Sequence, residues 1–468
     1  MISKKMKKIL YILFVTIPFV AKAQEKGILF INDKNWQEIK KIARDENKFI
    51  FIDCFASWCG PCKAMEKDVY SDEKVANYFN NKFINLKVQM DITPKDDDHV
   101  KQWYVDAKVI GQLYKINAYP CFLFFSPDGE IVHKGLGLQS VDDFLRLAAN
   151  AMDPENQYYT LLKQYQSDKL DTGSMKSFAR MARSLGETEL SENVAKSYID
   201  KLDGNELYTK DNISFLYDFT KSTKDRGFGI IRDNIPKIHQ IENNWDEANS
   251  KVFLEIIIYN EEIKPFEKSH DGKPDWNEMV KNIQKFGVLG NATFDIYKPD
   301  IIFRIEILPF LKTGTNWVNI LPAIKKMHTG KGEEFLVGST VVYFCNNIIS
   351  GTQKNCGNFI SAATYYSKNF ASYLKPDPQN SWAWIVFQHS SDKIELTKAL
   401  EWSHNAVEMT NQADGAYLDT YANLLYKLGR IKEAITWEGK ALEISHNDQA
   451  IANALIKMKN GAPTWDHN

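Results

Sequence analysis

Six cysteines in 468 residues are too few to staple a disulfide scaffold of this length, so each has to be read by its position. Charge of one sign is also missing. With 58 Lys+Arg against 60 Asp+Glu the net charge is −2, which supplies no clustered basic excess for phosphates and excludes nucleic acid as a partner. Beyond residue 23 no apolar run approaches the ~20 residues that a bilayer-spanning helix needs. No dinucleotide fingerprint occurs, and the nine histidines fall at no metal or triad spacing. What is present is a chain of ordinary globular composition, 44% hydrophobic and 13% aromatic. At ~150 residues per domain it amounts to about three domain equivalents.

The first segment reads as an address. Lys4, Lys5, Lys7 and Lys8 form a basic head, Ile9 to Val20 is an apolar run, and Ala21-Lys22-Ala23 supplies small side chains before Gln24. That order is the one a secretory signal peptide needs, so residues 1–23 are predicted to be removed. Twelve residues containing Pro18 are too short for a membrane anchor, and no cysteine follows Ala23 to carry a lipid. The expected product is exported across the inner membrane to the periplasm, without stable membrane insertion once the signal is cleaved. In that compartment cysteines oxidise and their redox state must be managed.

From residue 24 to 152 the hydrophobic period switches repeatedly. Trp36 to Arg44 and Pro61 to Phe79 read as helices around a strand at Phe49 to Phe55. A strand at Phe83 to Met90 and a helix at His99 to Leu113 follow. A hairpin then runs through Cys121 to Phe125, the turn Ser126-Pro127-Asp128-Gly129, and Glu130 to Lys134, before a helix at Val141 to Ala151. Strands alternating with helices predict a mixed sheet covered on both faces. After Pro154 the strand signals fade. Tyr158 to Tyr165, Met175 to Leu185 and Leu190 to Leu202 repeat apolar residues at three and four spacing, as stacked helical hairpins do. Residues 153–374 are read as a helical region, aromatic-rich in its centre, with Trp276, Trp317, Tyr343 and Phe344 in its core. In residues 375–468 a shift of thirty-five superposes Ala399 on Ala434, Trp402 on Trp437, Ala406 on Ala441 and Glu408 on Glu443. Together with Tyr421, Leu424, Leu428 and Gly429 this resembles the tetratricopeptide pattern.

The chemistry lies in one turn. Trp58-Cys59-Gly60-Pro61-Cys62-Lys63 follows the apolar strand and opens a helix. A thiol at a helix start faces unpaired N–H groups and the positive end of the macrodipole, and both favour thiolate. Cys59 is therefore the expected nucleophile. Cys62, one helical turn on, is placed to resolve a mixed disulfide at Cys59, with Pro61 stiffening the turn. Zinc would need a second such pair or a Cys/His pair, and this region has neither.

The stretch Asp53-Cys54-Phe55-Ala56-Ser57-Trp58-Cys59-Gly60-Pro61-Cys62-Lys63 resembles the active-site segment of the thioredoxin family. Tyr119-Pro120, the strand Cys121 to Phe125 and the turn Asp128-Gly129-Glu130 resemble that family's cis-proline and closing hairpin. The long connection from Asp91 to Asn117 is more similar to the secreted thioredoxin-like domains and the C-terminal domain of DsbD. Its run Asp96-Asp97-Asp98 reads as a solvated loop. The resemblance implies an α/β thioredoxin fold followed by an all-α helical-repeat domain, and a redox-active disulfide Cys59–Cys62 as the only cofactor. It assigns Asp53 to the buried carboxylate that accepts the proton of Cys62, a role that a raised pKa at the end of an apolar strand suits. It places Lys87 beside that carboxylate. It makes Pro120 cis, so that the backbone of Tyr119 pairs with an extended substrate, with Trp58, Gly60 and Pro61 completing the substrate-binding surface.

Cys54 and Cys121 read as buried filler, although Cys121 follows the proline and lies near the redox pair. Cys345 and Cys356, eleven positions apart, are read as a possible structural disulfide of an oxidising compartment. The leading expectation is a periplasmic thiol:disulfide oxidoreductase, a reductase by its Gly-Pro dipeptide. It would act on protein thiols and disulfides, be recharged by a membrane-embedded electron donor, and carry a helical domain for docking. The alternative is an envelope scaffold in which the helical repeats dominate and the CxxC pair is a minor switch.

Overall fold

The computed structural model describes residues 27–242, 247–268, 271–327, 330–353 and 355–465. The proposed signal, residues 1–23, lies outside them. The chain divides into two compact units, one comprising 27–220 with 225–242 and the other 221–224 with 247–465.

The first unit begins as a three-layer α/β domain. Helix α1 (Trp36–Glu46) is started by a reciprocal cap: Asn35 accepts from the N–H groups of Gln37 and Glu38, and Glu38 accepts from that of Asn35. The strands β1 (Phe49–Phe55), β2 (Phe83–Gln89), β3 (Cys121–Phe125) and β4 (Ile131–Leu136) form one sheet in the order β2-β1-β3-β4. β1 runs parallel to β2 and antiparallel to β3, and β4 closes a hairpin on β3. Between β1 and β2 the chain makes α2 (Gly60–Ala64), a π-helical turn (Met65–Tyr70) and α3 (Glu73–Lys82). The single helix expected over Pro61 to Phe79 is thus broken. Asp72 caps the N–H groups of Lys74 and Val75 and restarts the helix. α4 (Asp98–Leu113) joins β2 to β3, and α5 (Val141–Met152) follows β4.

Alternation along β1 sorts the core. Phe51 packs with Phe79, Phe122, Phe124 and Phe144 beneath α3 and α5. Ile50, Ile52 and Cys54 face α1 and α4 with Ile39, Trp103 and Ile110. By the same period Asp53 lies on the Phe51 face, the one covered by Met65, Val69 and Tyr70 of the π turn.

The domain is continuous with helices α6 (Tyr158–Gln166), α7 (Thr172–Ser184) and α8 (Thr188–Lys201), which stack as hairpins. α6 covers the edge strand β4, and the N–H of Tyr158 donates to Nδ1 of buried His133 at 3.0 Å. An imidazole in that role must be neutral, and burial pushes its pKa down to about 4.

The second unit is all-helical among its described residues. Its core joins Trp317, Phe344 and Phe359 to Trp402 and to helices Gly415–Lys427 and Ile431–Ile444. Trp276 and Tyr343 pack at its margin. Ala399, Ala406, Ala434 and Ala441, the superposed small residues, are all fully buried, which lets neighbouring helices approach closely. Gly429, at φ +85°, ends the helix before the second copy. Glu438 is buried, and burial together with the neighbouring Asp419 carboxyl pushes its pKa far up, so it is held neutral.

The His133 contact fixes a pH dependence. The unfolded imidazole takes a proton near pH 6.5 and the folded one only near 4, so the unfolded chain binds the extra proton between those values. The His133 contribution to stability is expected to fall by on the order of 1 kcal/mol per pH unit as pH drops through that window. Urea midpoints of the oxidised full chain and of a His133→Gln variant, which keeps an acceptor, measured at pH 7, 6 and 5, would isolate it as their difference, and a difference that does not change with pH would refute the assignment.

Candidate functional site

The redox turn grows directly out of β1. After Phe55 the chain leaves the sheet, and Ser57 is pinned by Asp91, whose carboxylate accepts from the Ser57 N–H at 2.9 Å and from its hydroxyl at 2.5 Å. Cys59 caps α2: its Sγ accepts the N–H of Cys62 at 3.1 Å, the type of contact that stabilises a thiolate once the bond is reduced. Pro61 occupies the first turn, where its missing N–H costs nothing. Cys59 and Cys62 are joined as a disulfide with Cα atoms 5.3 Å apart. Both are almost completely buried, under exposed Gly60 and Pro61. Trp58 is 72% exposed, and its ring meets that of Tyr119 edge-on at 5.9 Å. The Tyr119–Pro120 peptide is cis, and Tyr119 packs against the cluster of Ala56, Cys59 and Cys62.

Asp53 is fully buried, and neither carboxylate oxygen has a hydrogen-bond partner among the described residues. Burial pushes its pKa up to about 6, against the opposing pull of the Lys87 ammonium. The Tyr70 hydroxyl acts on the same carboxyl from the π turn, though it too is buried without a full hydrogen bond. Lys87 lies opposite Asp53 in the β1–β2 register. Its ammonium pairs with Glu66 and lies 4.6 Å from the Phe55 ring centroid. Burial lowers its pKa, with Asp53 opposing.

Glu66, Tyr70 and Asp91 were not singled out from the sequence. Glu66 lies one helical turn beyond Cys62, and that spacing was the available signal. Asp91 at a strand end gave none. The acidic loop also differs from expectation. Asp96 is no solvated side chain: it accepts from the Thr93 N–H and hydroxyl, from Tyr104 and from Gln89, which hold its carboxyl well below the usual range. No group of three or more His, Cys, Asp or Glu placed to hold a metal occurs among the described residues. Cys345 and Cys356 are corrected: both are free thiols. Cys356 is fully buried in the apolar core, where burial pushes its thiol to about 12, while Cys345 is half-buried on helix Lys331–Ile349. Each is held as a small apolar side chain in its own packing site.

Residues 17–143 match the family model Thioredox_DsbH, described as a protein of unknown function, DUF255. The chain carries a thioredoxin-family domain. It is similar to Thioredoxin-1 of Drosophila melanogaster, with 31% identity over 85 residues, 18% of this chain and 64% of that protein. It is similar to the thiol:disulfide interchange protein DsbD of Photorhabdus laumondii subsp. laumondii, 25% identical over 24% of this chain and 18% of the relative. A solution structure of a putative disulphide-isomerase from Bacteroides thetaiotaomicron aligns at 34% identity over 28% of this chain and 98% of that one, with a TM-score of 0.23. The chain thus spans less than two thirds of the length of these two curated relatives.

The unpartnered carboxylate has a measurable cost. Folded Asp53 keeps its proton up to about pH 6 and the unfolded one loses it near 3.8, so stability falls as pH rises through that interval and the penalty is complete above it. Asp53→Asn is therefore expected to stabilise the oxidised full chain at pH 7 by on the order of 2 kcal/mol and to give no gain at pH 3.5. Equal urea midpoints for variant and parent at pH 7 would show that the carboxyl carries no such strain.

Proposed function

We propose that the protein is a thiol–disulfide oxidoreductase of the periplasm that reduces protein disulfides through the Cys59–Cys62 pair. The observation that carries this reading is the bonded pair at the start of α2, on the turn that follows the strand holding a buried carboxylate with a raised pKa and no hydrogen-bond partner among the described residues. The Cys59 thiolate attacks one sulfur of a substrate disulfide, and the other substrate sulfur leaves as a thiolate that takes a proton from solvent. Asp53 accepts the proton of Cys62, and the Cys62 sulfur attacks Cys59, which releases the second substrate thiol and leaves the disulfide seen in the structure. One substrate disulfide gains two electrons from the pair and two protons, one from solvent and one from Cys62 by way of Asp53.

Asp53 is suited to this step because its proton affinity, near pH 6, is close to the working pH. Lys87, tethered by Glu66, keeps that affinity from rising further. The cis peptide at Pro120 and the exposed rim of Trp58, Gly60 and Pro61 form the surface on which an extended substrate would lie.

The Gly-Pro dipeptide supports the reducing direction, and the basic head, apolar run and Ala21-Lys22-Ala23 support export. The name of the related DsbD, a thiol:disulfide interchange protein, supports the exchange chemistry itself. The electrons would come from a dithiol in a membrane-embedded donor. The tetratricopeptide-like helices Lys393–Met409, Gly415–Lys427 and Ile431–Ile444 would dock partner or substrate. Site roles and the divisions at residues 23, 152 and 374 belong to this proposal.

The full mature chain should reduce insulin with a dithiol as electron source. Cys59→Ser should abolish the activity, and Cys62→Ser should accumulate mixed disulfides at Cys59. Protein recovered from the periplasm should begin at Gln24. The potential against glutathione should lie nearer to thioredoxin's roughly −270 mV than to the about −120 mV of an oxidase such as DsbA. A value near the latter would reverse the direction, and an inactive full chain would leave the scaffold reading in possession.

A further inference from the structure

The π-helical turn Met65–Tyr70 restores a register that an α-helix would lose. Tyr70 follows Cys62 by eight residues, which in an α-helix overruns two turns by about 80°. The wider turn takes up that excess, and Tyr70 comes back to the buried side of the run on which Cys62 lies, the two being 3% and 2% exposed. Its ring is fixed there at 5.6 Å from those of Phe30 and Phe144, and its carbonyl accepts the N–H of Ile28 at 2.9 Å. A phenylalanine would fill this apolar site without burying a polar atom, so the hydroxyl needs a reason.

That hydroxyl is shut off from solvent and makes no full hydrogen bond among the described residues, and the same holds for both carboxylate oxygens of Asp53. The two groups act on each other. Burial and the Asp53 charge push the Tyr70 hydroxyl well above its ordinary range, so it stays protonated and faces the carboxylate as a donor. The other ionisable groups that act on Asp53 or feel it are Lys87 of β2, held in its pair with Glu66, and the thiols of Cys54 in β1 and Cys121 in β3, which burial keeps neutral.

We propose that Tyr70 is a positioning residue for the proton transfer from Cys62: its hydroxyl closes a full hydrogen bond onto the Asp53 carboxylate when that group is ionised, and so keeps it an acceptor. The proposal rests on the role given to Asp53 above and adds the group that holds it in its charged form. A hydrogen bond of this kind favours the carboxylate, whereas burial alone favours the neutral acid. Without it Asp53 would be protonated over more of the working range and could not take up the Cys62 proton.

The test uses the reduced full chain with one equivalent of Ellman's reagent. The Cys59 thiolate attacks the reagent disulfide and releases one thionitrobenzoate. Cys62 then attacks the Cys59 sulfur, its proton passes to Asp53, and the second thionitrobenzoate leaves with the electron pair of the broken bond. Cys62→Ser, which cannot make the second release, gives the contribution of the other thiols. The rate of the second release should follow the ionisation of Asp53, with a midpoint near pH 6. In Tyr70→Phe, which keeps the ring, the midpoint should rise by about one pH unit, so that the second release is roughly fivefold slower at pH 6 and matches the parent above pH 8. Added to Asp53→Asn, the same substitution should change nothing further. A midpoint that stays in place, or equal slowing at every pH, would overturn the proposal in favour of a packing effect, as would the same slowing in the Asp53→Asn background. A parent that releases the first thionitrobenzoate and never the second would instead overturn the redox reading itself.

Discussion

The N-terminal domain is organised around one uncompensated carboxylate. Asp53 ends the interior of the central strand with no hydrogen-bond donor to either oxygen among the described residues, in a position where a leucine would be cheaper. Strand geometry makes the placement possible. Because side chains alternate along β1, the residue that follows Ile52 and precedes Cys54 must face the helical run that carries Cys62. The parallel partner β2 then sets Lys87 opposite it. The lysine forms its ion pair with Glu66 while its charge still pulls on Asp53 against burial, so the carboxyl stays between two regimes, neither fully ionised nor locked neutral. A stronger ion pair would lower the pKa and remove the base, whereas an apolar neighbour would raise it and leave the carboxyl protonated.

Much of this domain was legible because its signals are local. β1 and β3 fall at the residues their apolar runs mark, and the turn from β1 into α2 is punctuated by Gly60 and Pro61. What escaped was held by contacts between segments distant in sequence. Ser57 and Asp91 are thirty-four positions apart, and Lys87 and Glu66 twenty-one, so no window of periodicity contains either pair. The π turn at Met65–Tyr70 has the apolar spacing of an ordinary helix, and only the cap at Asp72 betrays the interruption. Asp96 was misread for the complementary reason: an acidic run looks solvated in sequence, yet the fold brings donors from Thr93, Tyr104 and Gln89 onto one member of it. Cys345 and Cys356 show the limit of compartment arguments. An oxidising environment permits a bond but cannot supply the geometry for one.

In the helical part the sequence disclosed packing more readily than register. Repeated alanines at 399, 406, 434 and 441 announced close helix contacts, and all four are buried. Glu438 within the same array was silent, because a lone glutamate on a helix ordinarily faces water. Here it is buried against Asp419 and kept neutral, a polar group retained inside an otherwise apolar interface. Such groups seldom add net stability and more often restrict which packing is acceptable. The pair therefore bears on the uniqueness of the helical stack more than on its strength.

The two remaining thiols of the first domain show why the redox chemistry stays with one pair. Cys54 and Cys121 stand opposite each other across β1 and β3, immediately beside Asp53 and Pro120 in the chain. Yet both are fully buried on the α4 side of the sheet, away from the helix start that activates Cys59. Burial pushes the Cys121 thiol to about 12 and raises that of Cys54 as well. A thiol that cannot ionise does not attack a disulfide, whatever its distance from one. One residue of displacement along a strand is enough to separate the carboxyl proposed as the base from a sulfur that serves packing. Position in the sheet distinguishes the buried thiols of this domain from the pair at the helix start.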